Sequence, residues 1–574
     1  MHIPREEHPR PDFKRMDWIN LNGEWQFEID ISNTGKEKKF YLPEKQMCEK
    51  IVVPFSPEST LSNIGNKDFM VSVWYQKQLN IPEKWKNRRI FLNFGAVDYL
   101  TTVWINGEEV GRHIGGYTPF RFEITKFLKR ENFLTVNAYD DCRTQLQPSG
   151  KQSHLYNSHG CYYTRTTGIW QTVYLEATGE NYLKNMKTYP DVETGIVYLL
   201  LDVEGNSDIK IELFQQEEKV AEKTVSGSGL ITTSIPINNF ELWSPSSPVL
   251  YNLKITLLAK GVQQDVLEAY FGFRKVEIKG NKILLNGNRL FMKMVLDQGY
   301  YPDGIYTAPD QREIINDIKI SMDMGFNGAR LHEKVFEPLV LYYADKLGYL
   351  LWSEYPNWGL KNHLHREGYE VLLKEWVAVI ERDFNHPSII GWCPLNETLQ
   401  PPQDDALVRA LYKTTKAIDS TRPVIDTSGY THTETDIYDC HNYSQDPDEF
   451  KKLFEPFIYD DSRAWHKFER EFPYKGQPYW VSEYGGIGWS EEEKTEGWGY
   501  GGPSARPKNK EEYIERYRQL TKVLTNHPKI CGFCYTQLYD VEQEINGLYT
   551  FQRKPKINPE IIKKINSEKA QIEK

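Results

Sequence analysis

Long apolar runs and an excess of positive charge are both missing from this 574-residue chain. No stretch of 18 consecutive apolar residues occurs, so the sequence predicts no membrane-spanning helix. The chain has a formal net charge of −10 at pH 7, whereas nucleic-acid binding requires a basic surface. The first 15 residues contain no apolar segment of the kind that a secretory signal needs. We therefore expect a cytoplasmic protein with no nucleic-acid or membrane partner, although a leader that had been removed would not be visible.

Cysteine is also scarce, with seven residues scattered along the chain. An odd, scattered set suits reduced thiols better than a disulfide framework. Cys531 and Cys534 have the spacing of a redox pair, but they lie in an apolar, strand-like run with no second pair nearby. The sequence therefore predicts no metal or redox role for them.

Aromatic residues, in contrast, are abundant at 13%, with 15 Trp and 36 Tyr. Such side chains are typical of β-sandwich cores. They also form platforms for sugars, because a pyranose offers an apolar C–H face to a ring. Both interpretations stay open, and the chain length alone calls for two to four domains.

The first 276 residues read as strands separated by turns, in two blocks. Residues 1–180 contain alternating apolar stretches and the hairpin signal Asn106-Gly107, which predict a jelly-roll-like β-sandwich. Residues 181–276 form a second strand-only block whose length and spacing suit an immunoglobulin-like sandwich.

From residue 277 onward, short apolar strands alternate with amphipathic stretches, the pattern of parallel β/α units. The clearest helix is predicted over 309–324, where the residues on one face are Ile314, Ile315, Ile318 and Met322. Eight such units within 277–574 predict a (β/α)8 TIM barrel. The eight predicted strands cover residues 290–296, 325–331, 349–355, 389–396, 422–429, 436–443, 479–485 and 530–538.

Two glutamates follow apolar runs that would end at the same mouth of this barrel. Glu397 closes "IIGWCPLNE" after the fourth predicted strand, and Glu483 lies in "YWVSEYGG" on the seventh. Functional groups of a TIM barrel project from the C-terminal ends of its strands, so both side chains should face one pocket. Either glutamate alone would more simply pair with an arginine. Together they are the pair that glycoside hydrolysis requires, one protonated and one ionised.

Longer motifs resemble glycoside hydrolase family 2, the family of β-galactosidases, β-glucuronidases and β-mannosidases. The resemblance covers essentially the whole chain and is carried by "RDFNHPSIIGWCPLNE" (382–397), "GFNGARLH" (325–332), "VSEYGG" (481–486) and "TGIWQTVYLE" (167–176). It implies a retaining, double-displacement mechanism with Glu483 as the nucleophile and Glu397 as the acid and base. The two carboxyl groups of such an enzyme lie about 5–5.5 Å apart.

The resemblance also implies roles for residues around the pair. Asn396 would bind the sugar 2-hydroxyl, Tyr443 would hydrogen-bond the nucleophile, and Arg330 would orient Glu483 by a charge-assisted bond. Turn capping, core packing and a barrel-end ion pair, respectively, are the structural alternatives. Further candidates at the mouth, for substrate contact or else for loop packing and capping, are His332, Asp297, Glu354, Trp358 and Trp489.

Three positions depart from the family pattern and bear on the sugar. Tyr162 stands where β-galactosidases and β-glucuronidases have an aspartate, and Thr536 stands where the family has a tryptophan platform. Asn546-Gly547-Leu548 replaces the Asn-x-Lys with which β-glucuronidases grip the sugar carboxylate. Because an unpaired buried carboxylate is costly, we expect a neutral β-D-galactoside to rank above a glucuronide.

The sequence thus predicts a retaining exo-β-glycosidase that removes terminal β-linked sugars, with β-D-galactosides leading. The main alternative is a family 2 glycosidase of a β-glucuronide, galacturonide, arabinoside or mannoside, and a non-catalytic carbohydrate-binding protein is a remote one. The expected partner is a small oligosaccharide or glycoside, and homo-oligomerisation is left open. Some β-galactosidases of the family bind Mg²⁺ and Na⁺, but the sequence shows no clustered ligand set, so we expect no cofactor.

Overall fold

The first part of the chain is an antiparallel β-sandwich, seen in a computed structural model that describes residues 3–398, 403–468, 472–491 and 497–574. Its core is rich in aromatic side chains, among them Trp25, Tyr75 and Phe94. One sheet has the strand order Glu49–Val53, Gly23–Ile29, Ser72–Leu79, Asn132–Tyr139, Leu100–Ile105 and Glu108–Ile114. The facing sheet has the order Phe120–Glu123, Arg89–Phe94, Val173–Thr178 and Trp18–Asn20, and a two-stranded ladder joins Val97–Asp98 to Gly168–Ile169.

The hairpin predicted at Asn106-Gly107 is present. These two residues connect Leu100–Ile105 to Glu108–Ile114 and have φ values of 54° and 82°. Positive φ at both central positions is what a type I′ hairpin turn requires, and asparagine and glycine tolerate it best.

A second sandwich follows, built on two unusually long strands. Ile196–Gln215 pairs with Tyr182–Asp191 through its first half and with Tyr251–Ala259 through its second half. An irregularity in its pairing with Glu218–Pro236, between Val203 and Ser207, separates the two halves. The strand Val262–Phe271 pairs with Tyr251–Ala259 on one side and with Lys14–Arg15 on the other, which attaches the N-terminal segment to this sandwich.

A small sheet of Val276–Lys279, Lys282–Leu285 and Asn288–Leu290 leads into the barrel. The barrel strands are β1 (Met292–Asp297), β2 (Gly328–Leu331), β3 (Leu350–Glu354), β4 (Ile389–Cys393), β5 (Tyr438–Asn442), β6 (Tyr479–Gly485) and β7 (Ile530–Thr536). Their parallel sheet has the order β4-β3-β2-β1-β7-β6-β5. Such a curled parallel sheet, with both faces buried, is the TIM-like barrel that the alternation of strands and helices predicted.

The helices that cover the barrel are α1 (Gln311–Asp323), α2 (Pro338–Leu347), α3 (Arg366–Asp383), α4 (Asp405–Ile418), α5 (Pro447–Tyr459), α6 (Lys510–Thr525) and α7 (Pro559–Asn566). Helix α1 confirms the clearest helical prediction. It buries Ile314 and Ile318 against the sheet, and the Asp310 side chain caps its first turn by accepting from the Arg312 and Glu313 amides.

The fifth predicted strand differs from the expectation. Residues 422–429 run beside the end of β4 through isolated parallel bridges, Trp392 to Val424 and Asn396 to Ser428, without forming a regular strand. Side chains take the place of ladder bonds on the other side, where Ser428 Oγ donates to Asp439 of β5 at 2.6 Å. Polar residues inside the run thus interrupt the pairing that its apolar pattern suggested.

A loop of the first sandwich packs against the C-terminal end of the barrel. The amides of Ser149 and Gly150 donate to the Trp358 carbonyl at 2.8 and 2.9 Å. The Tyr163 hydroxyl donates to Glu544. Residues from the first sandwich therefore border the mouth into which the barrel strands point.

All seven cysteines are free thiols, as expected from their scatter. Among the helices in the described ranges, none is both long enough and apolar enough to cross a membrane.

Candidate active site

Glu397 and Glu483 converge at the C-terminal mouth of the barrel. Glu483 is part of β6, and Glu397 lies four residues beyond the end of β4. One carboxylate oxygen from each, together with a ring nitrogen of His441, lie within 4.8 Å of one another. A limit of 4.8 Å between one oxygen of each carboxylate is compatible with the roughly 5–5.5 Å between the carboxyl groups of retaining glycosidases.

Glu483 is held at both carboxylate oxygens. Arg330 Nη1 donates to Oε1 at 2.7 Å, and the Tyr443 hydroxyl donates to Oε2. Burial, together with the charge of Glu483, raises the pKa of Tyr443 well above its ordinary value, so the phenol keeps its proton and stays a donor. An ionised Glu483 side chain that is only 4% exposed thus has the charge compensation it needs.

Arg330 is the centre of this arrangement. Its guanidinium is fully buried and donates to Glu354 Oε2 at 2.7 Å and to Asn396 Oδ1 at 2.8 Å, in addition to Glu483. Glu354 also accepts from the Glu333 amide at 2.9 Å. Glu354 is thus the buried counter-ion of Arg330 and holds the guanidinium in place.

His441 lies between the two glutamates, and sequence reasoning missed it. Its Nδ1 is 2.6 Å from Glu397 Oε1 and 3.3 Å from Glu483 Oε2, while Nε2 is 3.0 Å from Ser428 Oγ. Burial alone would raise the pKa of Glu397, but the hydrogen bond and charge of His441 outweigh it and lower that pKa to about 2. A signal was available in "DCHNY", because strand alternation carried one residue past the end of β5 puts His441 and Tyr443 on the same face.

Asn396 and His332 line the space beside Glu483. The Asn396 amide nitrogen Nδ2 is buried and has no hydrogen-bond partner among the described residues. His332 Nδ1 lies 2.9 Å from Glu354 Oε1 and 3.9 Å from Glu483 Oε1. Burial lowers the pKa of His332 well below its ordinary value, so the ring is neutral. Asn396 therefore offers a donor to a ligand, and substrate contact by His332 stays a prediction.

Asp297, at the end of β1, acts locally as a loop cap. Its Oδ1 accepts from the Gly299 amide at 2.9 Å and from the Tyr539 hydroxyl at 2.5 Å. Burial and the nearby Asp317 raise the pKa of Asp297 to about 6. A hydroxyl contact to substrate, the other role expected of Asp297, stays a prediction.

The two tryptophans differ in their surroundings. Trp358 stacks on His363 with ring centroids 4.4 Å apart, and the Tyr162 ring lies 5.3 Å away. Trp489 packs against Tyr513 of α6 at 5.7 Å. Each indole is thus engaged with protein rings, and stacking on sugar stays a prediction for both.

Of the positions that depart from the family pattern, Thr536 lies at the site. Thr536 Oγ1 lies 3.1 Å from the Tyr443 hydroxyl, next to the nucleophile candidate. Tyr500, which sequence reasoning did not single out, stacks on Tyr443 with ring centroids 3.3 Å apart. Leu548, in place of a lysine, is fully buried.

The trio of Glu397, His441 and Glu483 is also a donor set that a metal ion could use. One imidazole and two carboxylates match the ligands that zinc accepts. No such set was visible in the sequence, because the three residues come from three separate segments. A cation here would neutralise both glutamates at once, so the set fits a metal poorly if both carboxylates are to react.

Family models match the chain over almost its entire length. Residues 19–175 match the model described as glycosyl hydrolases family 2, sugar binding domain, and 181–274 match that described as glycosyl hydrolases family 2. Residues 276–568 match glycosyl hydrolases family 2, TIM barrel domain. The three matches follow the order of the two sandwiches and the barrel.

Related proteins carry two kinds of name. A β-glucuronidase of Paenibacillus borealis is 26% identical over 436 residues, which is 71% of this chain and 72% of that protein. A β-glucuronidase of Rattus norvegicus is 25% identical over 442 residues, covering 70% and 67%. A β-galactosidase of Thermoanaerobacter pseudethanolicus is 25% identical over 427 residues, covering 71% and 54%.

A solved structure shares the fold throughout. The β-glucuronidase from Ruminococcus gnavus in complex with D-glucuronic acid superposes with a TM-score of 0.81 at 19% identity, covering 99% of this chain and 100% of that one. At this identity the likeness establishes the three-part architecture alone. The family matches, which together span both sandwiches and the barrel, go further. This chain belongs to glycosyl hydrolase family 2 and is an O-glycoside hydrolase.

Proposed function

We propose that the protein is a retaining exo-β-glycosidase that hydrolyses terminal β-linked uronides, with β-D-glucuronides as the leading substrate. The observation that carries the mechanism is the approach of Glu397 and Glu483 to within 4.8 Å, with His441 between them. In a retaining enzyme one carboxylate attacks the anomeric carbon while the other protonates the leaving oxygen.

Glu483 is the nucleophile in this proposal. Arg330 and Tyr443 donate to its two oxygens, so its orientation is fixed before substrate arrives. Attack on the anomeric carbon forms a glycosyl-enzyme ester and expels the aglycone oxygen.

Glu397 donates the proton to that oxygen and later activates water. Its Oε1 lies 2.6 Å from His441 Nδ1, close enough for the imidazole to hand a proton to Glu397. Glu397 passes that proton to the leaving oxygen as the glycosidic bond breaks. In the second step the ionised Glu397 takes a proton from water, which attacks the ester and releases a sugar of unchanged anomeric configuration.

Asn396 binds the sugar beside the reacting carbon. Its Oδ1 accepts from Arg330, which leaves the buried Nδ2 as a donor without a partner in the described chain. A buried donor of this kind is satisfied when a hydroxyl arrives, and the 2-hydroxyl is the one next to the anomeric carbon.

The choice of sugar follows the relatives, which are mainly β-glucuronidases. It reverses the preference for galactosides that the missing Asn-x-Lys suggested. β-D-Galactosides remain the second candidate, because β-galactosidases are among the relatives and Leu548 offers no charge.

The test is turnover of 4-nitrophenyl β-D-glucuronide, galacturonide, galactoside, glucoside and mannoside, with the anomer first released identified by NMR. A matching 2-deoxy-2-fluoro glycosyl fluoride should label Glu483 covalently, as mass spectrometry of the digested protein would show. Release of the inverted anomer, or labelling at another residue, would overturn the mechanism. Turnover confined to neutral sugars would overturn the uronide assignment alone.

A further inference from the structure

A buried lysine from the first sandwich reaches the mouth of the barrel. Lys151 is 4% exposed and lies on the loop whose Ser149 and Gly150 amides bond to the Trp358 carbonyl. Gly150 has a φ of 57°, and a Cβ there would clash with the Glu333 carbonyl oxygen, so the backbone is seated directly on the barrel. The position of the Lys151 backbone is thereby fixed relative to the catalytic strands.

The ammonium of Lys151 differs from those of the other buried lysines in the described chain. Lys334 donates to the Tyr306 carbonyl at 2.8 Å, and Lys556 donates to Asp540 at 2.6 Å. Lys151 has no hydrogen bond and no carboxylate within 4.0 Å among the described residues, and its ammonium lies 5.3 Å from the Trp358 ring centroid. An ammonium on a side chain this deeply buried is poorly hydrated, which is costly unless a ligand supplies a partner.

The site around Lys151 is acidic, but its carboxylates are already engaged. Burial disfavours the charge of Lys151, yet Cys161, Glu544, Glu483 and Glu397 together raise its pKa above the ordinary value, so the ammonium stays charged. Glu483 is bound by Arg330 and Glu397 by His441.

Two further carboxyl groups that interact electrostatically with Lys151, those of Glu544 and Glu333, are also engaged. Glu544 accepts from Tyr163 and Asn546. Glu333 accepts from the Trp358 amide, and burial together with Glu354 raises the pKa of Glu333 well above its ordinary value, which favours the neutral acid. Within the described ranges, no carboxylate therefore makes a direct contact with the Lys151 ammonium.

We propose that Lys151 binds the carboxylate of the substrate uronic acid and so replaces the cation that is missing at Leu548. The inference rests on the proposed function, since it places the sugar in the pocket of Glu397 and Glu483. In this proposal a residue of the first sandwich, and not the barrel loop 546–548, recognises the substituent at C5 of the sugar.

Lys467 is the rival cation. It also acts electrostatically on Glu397, but it is exposed and its ammonium lies 3.4 Å from the Tyr430 hydroxyl. An exposed ammonium keeps its hydration and contributes less to binding a carboxylate than a buried one does.

The experiment compares sugars that differ only at C5. We would measure kcat/KM for 4-nitrophenyl β-D-glucuronide against the glucoside, and for the galacturonide against the galactoside. The enzymes are the wild type, Lys151→Met, Lys151→Arg and Lys467→Met, with the exposed Lys361→Met as a control of equal charge change.

We expect the wild type to prefer the uronide of at least one pair. Lys151→Met should lower kcat/KM for that uronide about 10- to 150-fold, the range for a hydrogen bond to a charged group, and leave the neutral sugar within about twofold. Lys151→Arg should restore most of the loss, because a guanidinium also pairs with a carboxylate. Lys361→Met should match the wild type on all four sugars.

Three results would overturn the inference: a wild type that favours the neutral member of both pairs, an equal loss on both members in Lys151→Met, or a collapse of the preference in Lys467→Met alone. Each would leave retaining hydrolysis standing, since turnover is still measured. No turnover of any sugar by the wild type, with no covalent labelling, would instead overturn the proposed function.

If Lys151→Met does not fold, the wild type still decides the matter with the methyl ester of the same glucuronide, which removes the charge from the sugar. We expect the ester to react about 10- to 150-fold more slowly than the acid. Equal rates would overturn the inference.

Discussion

The two glutamates at the barrel mouth occupy unlike positions. Glu483 belongs to the regular strand β6, its side chain is 4% exposed, and a guanidinium and a phenol bind its two oxygens. Glu397 lies beyond the end of β4 at a φ of 47°, its side chain is 15% exposed, and its partner is the imidazole of His441.

The contrast separates a fixed charge from an exchangeable proton. Neither Arg330 nor the Tyr443 phenol changes protonation near neutral pH, so the two groups that donate to the Glu483 oxygens keep one charge state. His441 Nδ1 also lies 3.3 Å from Glu483 Oε2, but its shorter contact, at 2.6 Å, is to Glu397. An imidazole does exchange protons in that range. The surroundings of Glu397 therefore suit a group that must give up a proton in one step and take one in the next.

Removing each glutamate in turn is expected to give the largest effects. Glu483→Gln should lower kcat by at least about 10⁴-fold for every leaving group, because no covalent intermediate can form. Glu397→Gln should cost about 10²- to 10⁴-fold with a poor leaving group. With 2,4-dinitrophenolate, which needs no protonation, Glu397→Gln should form the intermediate rapidly and then stall. Pre-steady-state absorbance measurements separate the two steps.

Azide provides the matched control for this comparison. It should restore turnover of Glu397→Gln by attacking the glycosyl-enzyme without a base, and it should leave Glu483→Gln inactive. Rescue of Glu483→Gln with a retained β-glycosyl azide as product would contradict the assignment of the two roles.

Loss of one donor to the nucleophile should have a smaller effect. Tyr443→Phe removes the hydroxyl that donates to Glu483 Oε2 and keeps the ring that stacks on Tyr500. We expect kcat to fall about 10²-fold. Thr536→Val removes only the neighbour 3.1 Å from that hydroxyl and should reduce kcat much less. Equal losses in the two variants would show that Tyr443 acts through packing.

His441→Asn should shift the acidic limb of the pH dependence of kcat, and should not abolish turnover. Burial opposes the ionisation of Glu397, and His441 outweighs burial to lower the pKa of Glu397. Without the imidazole this pKa rises, so the base form needed for deglycosylation is lost at a higher pH as the solution is acidified. The acidic limb of kcat for a dinitrophenyl substrate should move up by at least about one pH unit. If the acidic limb of kcat does not shift, His441 does not set the protonation of Glu397 during turnover.

Much of the fold could be predicted because it depends on local patterns. The two strand-only blocks, the change to β/α alternation near residue 277 and the Asn106-Gly107 hairpin each leave a signal within a few neighbouring residues. The run 422–429 misled for the same reason. Its apolar residues predict a strand, whereas Ser428 bonds to Asp439, a partner that the local pattern does not reveal.

Site residues at the ends of strands could be predicted from the sequence. Site residues on loops that pack at the barrel mouth could not. Glu397, Glu483 and Arg330 could be placed because parallel strands deliver their ends to one face. Lys151 and Tyr500 come from loops whose paths depend on packing between distant segments, so no spacing in the sequence points to them. His441 stands between these cases, since its alternation with Tyr443 was visible but its contact with Glu397 was not.

Metal ions should have the smallest effect, and they act on Glu397 and Glu483 together instead of distinguishing them. If the enzyme needs no cofactor, EDTA should leave kcat/KM unchanged. Added Zn²⁺ should inhibit competitively, because Glu397, His441 and Glu483 present one nitrogen and two carboxylates within 4.8 Å. His441→Asn removes the nitrogen ligand and should raise the inhibition constant for Zn²⁺ about tenfold, which corresponds to about 1.4 kcal/mol.

Mg²⁺, which prefers oxygen ligands in octahedral geometry, serves as the control and should have little effect. Loss of activity with EDTA, restored by Mg²⁺, would instead mean that a resident cation supports one of the two glutamates.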